Sequence, residues 1–544
     1  MSIARRNRAD KRQLGQFLTP NRLSRKIVDY ARPKITDLIL EPSFGSGSFI
    51  ESILDHFHDK NVSYKNAAKM IAGVEIDTAL YQQALHTFHA KYGLSAKDFA
   101  ELSCDDYFRW GSDQATLLHP EKYFAKNLEK YDLVIGNPPF GGTFDKQIED
   151  QLDRIYGFRL GEKIKKETYA FFIIKSIDLL KDLGRLVFIC SDTFLTINTM
   201  KGLRKVLMDT GSVRIRSLKE FSDETSHPMV IIDYQKGPVA STVSVDGDEI
   251  SVADIKQTPN YSWKINSELL KYFNGKLCGE YVVATSGMTV GKNEYFIKKI
   301  GNNNTIEERY EYELFQDPIT LTKELQKARL GKLSEKRKQE IQLVESKGVT
   351  TTNVKVSLKA KPTTVQLPNE NYKYYNKGQT KKLYANPKYV IYWKDAGKAV
   401  YLFKYNGPWY LHGVGGKKYF EKEGITWQLV ANKLYVRYLP SGYILDSGSP
   451  AAFLRQGIKK DELYFILGWL ATDIATDILK KVINHTRNIQ GKDVERMPYP
   501  TWVSATDKKR AIAIVKNAVA NLISGQNTDT DLTVAKLNSL FRQS

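Results

Sequence analysis

Tyr131-Asp132-Leu133-Val134-Ile135-Gly136-Asn137-Pro138-Pro139-Phe140 is the stretch on which the reading of this chain turns. The apolar run reads as a buried strand, and it stops on Asn-Pro-Pro-aromatic. Prolines have no N–H and fix their own φ, so the turn is stiff. The residue before each proline is pushed toward an extended conformation. The result is a rigid loop at a strand's end that presents one amide side chain, one carbonyl and one ring. That set suits a flat substrate with an exocyclic amino group. The Asn137 oxygen and the Pro138 carbonyl can each accept one N–H, while Phe140 stacks on the ring. The plainer alternative is a proline turn that closes a strand. What precedes the motif weighs against it.

Upstream, Leu38-Ile39-Leu40-Glu41-Pro42-Ser43-Phe44-Gly45-Ser46-Gly47-Ser48-Phe49-Ile50 reads as a buried strand, a glycine turn and a helix start. Small residues at 45–48 let a ligand approach the backbone. Gly-x-Gly without a third glycine is weak by itself. A second strand, Met70 to Asp77, ends in acids, where ribose hydroxyls are held in sheets of this kind. A third, Glu101-Leu102-Ser103-Cys104, ends in Asp105-Asp106-Tyr107-Phe108, where a carboxylate could accept from an adenine amino group and an aromatic could cover the ring. Each acid alone is an ordinary solvated strand end. Three acidic strand ends in order, followed by Asn-Pro-Pro-Phe, form a pattern.

That pattern resembles the gamma-class adenine-specific (amino-N6) DNA methyltransferases of bacterial restriction–modification systems, strongly over residues 13–240 and in general layout beyond. The resemblance implies a Rossmann-like α/β sheet that binds S-adenosylmethionine, followed by a basic α+β target-recognition domain. It implies that Thr19, in Gln16-Phe17-Leu18-Thr19-Pro20, touches the cofactor's methionine part. Glu41 would bind the methionine amino group beside Gly45 and Gly47, and Glu75 the ribose. Asp106 and Tyr107 would hold the adenine, with Asp105 a competitor for that role. Asn137, Pro138, Pro139 and Phe140 would be the catalytic motif, with Phe where many members have Tyr. Phe172, in Tyr169-Ala170-Phe171-Phe172, would close over the cofactor. Phe221 is placed like a second aromatic against the target base; a core aromatic fits it equally.

Charge divides the chain. Residues 1–250 hold 35 Lys/Arg and 34 Asp/Glu, whereas residues 251–544 hold 46 and 27. The excess points to a polyanionic partner for the second half. Residues 351–437 carry 16 Lys/Arg against 4 Asp/Glu, interleaved with aromatics from Tyr372 to Tyr410. Such a texture suits a surface that tracks phosphates, although most of the aromatics belong to the core. Residues 322–347 read as an exposed helical excursion. Three scattered cysteines make neither a disulfide framework nor a zinc site, and no metal is expected. No apolar run reaches membrane-spanning length, and the basic N-terminus lacks the apolar core of a secretory signal. The expected location is cytoplasmic, nucleoid-associated through DNA.

The expected domains are a catalytic domain over 1–245 and a recognition domain over 246–544 with a helical C-terminal part. The expected function is methyl transfer to N6 of a flipped adenine in duplex DNA. The expected assembly is a monomer partnered with a separate restriction endonuclease, because too few residues precede the first motif for a nuclease there. The rivals are an RNA adenine methyltransferase, which could share the site, and a protein-glutamine methyltransferase, which would not need the basic half.

Overall fold

The computed structural model describes residues 18–110, 129–140, 146–218, 228–265, 267–273, 275–318, 350–403 and 416–542. The chain divides into two compact units, Met1–Leu270 with Lys481–His485, and Lys271–Lys480 with Thr486–Ser544.

The first unit is built on one nine-stranded sheet. Its strands are β1 (Ile39–Glu41), β2 (Ile71–Glu75), β3 (Glu101–Cys104) and β4 (Tyr131–Gly136). A separate two-residue hairpin follows, β5 (Phe158–Arg159) with β6 (Glu162–Lys163). The sheet then continues with β7 (Leu180–Ser191), β8 (Gly211–Leu218), β9 (Met229–Lys236), β10 (Thr242–Val245) and β11 (Asp248–Ser251). The order across it is β11-β10-β8-β9-β7-β4-β1-β2-β3. Strands β3, β2, β1, β4 and β7 are parallel, and β9 runs antiparallel between β7 and β8. This is a Rossmann-like methyltransferase sheet.

Hydrophobic pattern explains why β4 is central. All its residues except Asp132 are buried, as expected of a parallel strand covered on both faces. Leu133 and Ile135 join the core formed with helices Asn21–Ala31, Ser48–His58 and Thr78–Tyr92. Val134 joins the core formed with helices Thr168–Leu179 and Lys201–Thr210. The connections after β1 and β4 lead to opposite sides of the sheet. The point where the order reverses therefore lies between these two strands, and a crevice opens at their carboxyl ends.

The second unit is α+β. One four-stranded sheet combines β12 (Val282–Thr285), β21 (Ala451–Leu454), β18 (Gly424–Trp427) and β19 (Val436–Leu439), in that order. Another combines β13 (Ile297–Lys299), β17 (Tyr389–Tyr392), β16 (Tyr372–Asn376) and β20 (Tyr443–Leu445). A long antiparallel ribbon pairs β14 (Thr305–Pro318) with β15 (Thr350–Gln366). The C-terminal part is helical, at Asp461–Leu470, Ala505–Ile523 and Thr530–Phe541. Tyr372, Tyr375, Tyr392 and Trp393 are buried. Tyr374, Tyr389 and Tyr401 are half-buried, so a core of aromatics lies under the basic texture. Tyr405, Trp409 and Tyr410 and the excursion expected at 322–347 fall outside the described residues. Among the described residues no helix is long and apolar enough to cross a membrane.

Candidate active site at the carboxyl edge of the first sheet

The turn after β1 is shaped by two glycines. Gly45 and Gly47 have φ of +57° and +94°, a region costly for residues with a Cβ. A Cβ at Gly47 would also meet the Phe88 ring at 2.7 Å. The turn is tied to β2, because the Glu75 carboxylate accepts from Gly45 N at 2.8 Å and from Asp77 N at 2.7 Å. Burial raises the Glu75 pKa, and the N–H groups of Asp77, Gly45 and Ile76 oppose that rise. Asp77 in turn caps the next helix by accepting from Ala79 N and Leu80 N.

Glu41 is the outlier. It ends β1 at 2% exposure, and its Oε2 has no hydrogen-bond partner among the described residues. Burial, then the nearby charge of Glu75, holds its carboxyl well above the usual carboxylate range, with the Ile50 N–H acting the other way. Buried carboxyls are ordinarily paired. A carboxyl so placed can receive a cation. A methionine-type ammonium, brought in by S-adenosylmethionine, fits that donor set.

The Asn-Pro-Pro-Phe loop stands next to this turn. A Cβ at Gly136 would lie 3.4 Å from Glu41 Cγ, and Ser43 Oγ donates to the Asn137 carbonyl at 3.3 Å. Asn137 Nδ2 donates to Thr19 Oγ1 at 3.1 Å. The amide's donor end is thus engaged by the N-terminal motif, which fixes its oxygen as the acceptor end. Pro138 is buried, while Asn137, Pro139 and Phe140 are partly exposed. The Phe140 ring lies 5.8 Å from that of Tyr169 and packs against both cores.

The third acidic strand end divides its roles. Asp105 is exposed and accepts from Asp106 N. Asp106 is half-buried and accepts from Phe108 N at 2.9 Å. Burial raises its pKa, opposed by the Phe108 N–H and the charges of Arg109 and Lys175. Tyr107 points into the core, its hydroxyl 3.0 Å from Ser176 Oγ and its ring 4.7 Å from that of Phe172. Tyr107 and Phe172 are 3% and 5% exposed; they form the floor under this loop. Thr19, Glu41, Gly45, Gly47, Glu75 and Asn137 are linked by the contacts above, and Asp106 stands at the end of the neighbouring β3. Phe221 lies outside the described residues.

Two residues were not singled out from the sequence. Ile76 sits between Glu75 and Asp77 and is 53% exposed, an apolar face just past the carboxyl end of β2. Lys175 is 3% exposed. It donates to the Tyr107 and Trp110 carbonyls and lies 4.6 Å from the Tyr107 ring centroid. Burial lowers its pKa to about 7, opposed by Asp106, Asp105 and Asp178. The signal was available: one lysine in the apolar run Phe171-Phe172-Ile173-Ile174-Lys175.

Comparison with known proteins places the chain among methylases. Residues 51–225 match the family model of the Eco57I restriction-modification methylase. The type II methyltransferase M.BstVI of Geobacillus stearothermophilus is 26% identical over 267 residues, 42% of this chain and 45% of that protein. The adenine-specific methyltransferase PglX of Lacticaseibacillus casei (strain Zhang) is 33% identical over 110 residues, 20% of this chain and 9% of that protein. The chain thus spans less than half the length of either relative. A nuclease-deletion mutant of the type ISP restriction-modification enzyme LlaGI, solved with a DNA substrate mimic, shares the fold. Its TM-score is 0.56 at 12% identity, over 94% of this chain and 55% of that one. The chain is related to the methylases of restriction–modification systems.

Proposed function

We propose that this protein is a site-specific DNA adenine methyltransferase that protects host DNA in a restriction–modification system. Residues 1–245 would be the catalytic part and residues 246–544 the recognition part. The observation that carries the reading is the juxtaposition of Asn137, bonded to Thr19, with the buried Glu41 carboxyl, whose Oε2 has no hydrogen-bond partner among the described residues. Kinship with restriction–modification methylases and the charge of the second half support it.

S-adenosylmethionine supplies an electrophilic methyl group on a sulfonium. Glu41 would hold its amino group and Thr19 its methionine part, Gly45 and Gly47 would give it room, Glu75 would take the ribose, and Asp106 with Ile76 would take the adenine. Tyr107 and Phe172 support that pocket from below.

The target amine is a poor nucleophile because its lone pair is delocalised into the ring. Asn137 Oδ1 and the Pro138 carbonyl accept its two hydrogens and draw the nitrogen toward tetrahedral geometry. The lone pair then localises on the nitrogen, and the bound cofactor would supply the methyl group it takes. The surplus proton on the nitrogen passes to solvent, since neither amide oxygen is basic enough to keep it. Pro139 stiffens the loop, so the contribution is orientation and electrostatic positioning. A duplex adenine must be flipped out to reach the site, at a cost of a few kcal/mol; stacking on Phe140, about 1–3 kcal/mol, offsets much of that.

Sequencing DNA from cells that express the protein, with detection of modified bases, tests the reading. The expected result is N6-methyladenine at one recurrent short sequence, absent from control cells. Unmodified DNA accompanied by methylated RNA or methylated glutamine would overturn it in favour of those substrates.

A further inference from the structure

Among the described residues two arginines are almost wholly buried, and they are treated oppositely. Arg204, in the first unit, is fully buried but spends its N–H groups on the carbonyls of Phe194, Ile197, Asn260 and Tyr261. Arg437, on β19 of the second unit, is 2% exposed. Neither of its terminal nitrogens has a hydrogen-bond partner among the described residues. No carboxylate faces it among the described residues, and the one titratable group acting on it is the Tyr443 phenol. A buried cation with neither partner nor counter-ion is a costly thing to retain.

The segment paired to the outer edge of Arg437's strand is itself under strain. β19 is an edge strand of its sheet. On one side Arg437 pairs with Thr426 of β18. On the other, Leu383 forms a parallel bridge to it, held by Leu383 N to the Val436 carbonyl and Tyr438 N to the Leu383 carbonyl. Leu383 is fully buried with φ of +65°, a left-handed conformation unfavourable for leucine. Strain of this kind collects at sites that switch or bind. The same segment is strongly basic. Residues 371–394 include Lys377, Lys381, Lys382 and Lys388 and no acid, and Lys381 and Lys388 are exposed. A lysine-bearing segment paired to the strand that carries an unpartnered guanidinium matches a polyanion carrying paired acceptor oxygens.

We infer that Arg437 is a DNA-contacting residue, flanked by the Leu383–Tyr384 segment paired to its strand in the free protein and engaged when DNA displaces that segment. Its planar fork matches a backbone phosphate or the acceptor edge of a guanine, the two acceptors in duplex DNA that take an arginine bidentately. The inference rests on the proposed DNA substrate.

The test uses the full chain, a duplex carrying the sequence found modified in cells, and an unrelated duplex. Arg437→Met is expected to melt no lower than wild type, since an unpaired buried charge is removed. It is expected to bind the specific duplex at least tenfold more weakly. If the acceptor is a phosphate, the loss is equal on both duplexes and the salt slope falls by about one. If it is a base edge, the slope is unchanged and methylation spreads to sites altered at one base pair. Hydrogen exchange on wild type guards against a misfolded variant: amides of 382–385 and 436–439 are expected to change protection when the specific duplex is added. Wild-type affinity in Arg437→Met, or unchanged exchange in those segments, overturns the inference. A wild-type protein that binds no duplex overturns the functional reading and this inference together.

Discussion

Glu41 carries the sharpest consequence at the scale of single residues. Its carboxyl is pushed upward in pKa by burial and by Glu75. A raised folded-state pKa means that the folded protein binds the proton more tightly than the unfolded chain. This group therefore favours folding at low pH, and that contribution is lost as pH rises through its folded pKa. Glu41→Gln should raise the melting temperature of the cofactor-free protein increasingly as pH rises above the ordinary carboxyl range, most of all above the folded Glu41 pKa, and leave it unchanged below that range. The same variant should weaken S-adenosylmethionine binding, because the ammonium loses its counter-charge. In wild type the affinity should fall as pH drops below the Glu41 pKa, by about tenfold per unit at the steepest. Calorimetric titration with melts across pH checks both; unchanged cofactor affinity in Glu41→Gln contradicts the assignment.

The acids at 41, 75 and 106 were legible as residues because each ends a strand. Their differences were not. Whether a carboxylate is consumed by backbone N–H groups, as Glu75 is, or left unpaired, as Glu41 Oε2 is, depends on how the turn folds back. That information is three-dimensional. Tyr107 shows the same limit: an aromatic beside an acid reads as a ring cover, yet its side chain turns inward to Ser176.

At the scale of elements, the helix Thr168–Leu179 matters most, since it carries the support of the loop that follows β3. Lys175 holds two carbonyls of that loop. Lys175→Met should loosen it and lower cofactor affinity several-fold with little effect on DNA affinity. Its pKa is lowered from 10.5 to about 7, so between those values the unfolded chain binds more protons. Stability should rise with pH through that window in wild type and rise less in the variant. Melts across that window and cofactor titration test this; equal affinity would assign Lys175 to packing alone.

Strands β1, β2, β4 and β9 could be read from their apolar runs, because strands covered on both faces are continuously apolar. β8 was missed for the complementary reason. Gly211-Ser212-Val213-Arg214-Ile215-Arg216-Ser217-Leu218 alternates, with Arg214 and Arg216 exposed, and a short alternating run is a weaker signal. The order of the sheet and the antiparallel insertion of β9 are long-range properties that no local pattern encodes.

Charge decides behaviour at the scale of the whole molecule. The second half carries 46 Lys/Arg against 27 Asp/Glu, so DNA binding should depend steeply on salt. Engagement of about six phosphates would cost roughly a thousandfold in affinity between 50 and 200 mM. Replacing the exposed Lys355, Lys361, Lys388 and Lys398 with Gln should reduce both affinity and slope, by about one slope unit for each phosphate no longer neutralised. Sequence preference at fixed salt should survive, since base-edge recognition is not a counterion effect. An unchanged slope would place the DNA surface elsewhere. The basic excess was plain in the sequence. The assembly of that half from two small sheets and a ribbon was not, because short strands with long-range pairing leave little periodicity.

On the proposed mechanism, everything converges on Asn137 orienting an adenine amine for attack. Transfer of labelled methyl from S-adenosylmethionine to duplex DNA, measured for wild type and Asn137→Ala alongside calorimetric cofactor binding, tests it most directly. Wild type is expected to place label on adenine N6. In the variant, transfer should fall by at least about a hundredfold while cofactor affinity stays within a few-fold. Near-normal transfer by Asn137→Ala would contradict the catalytic role.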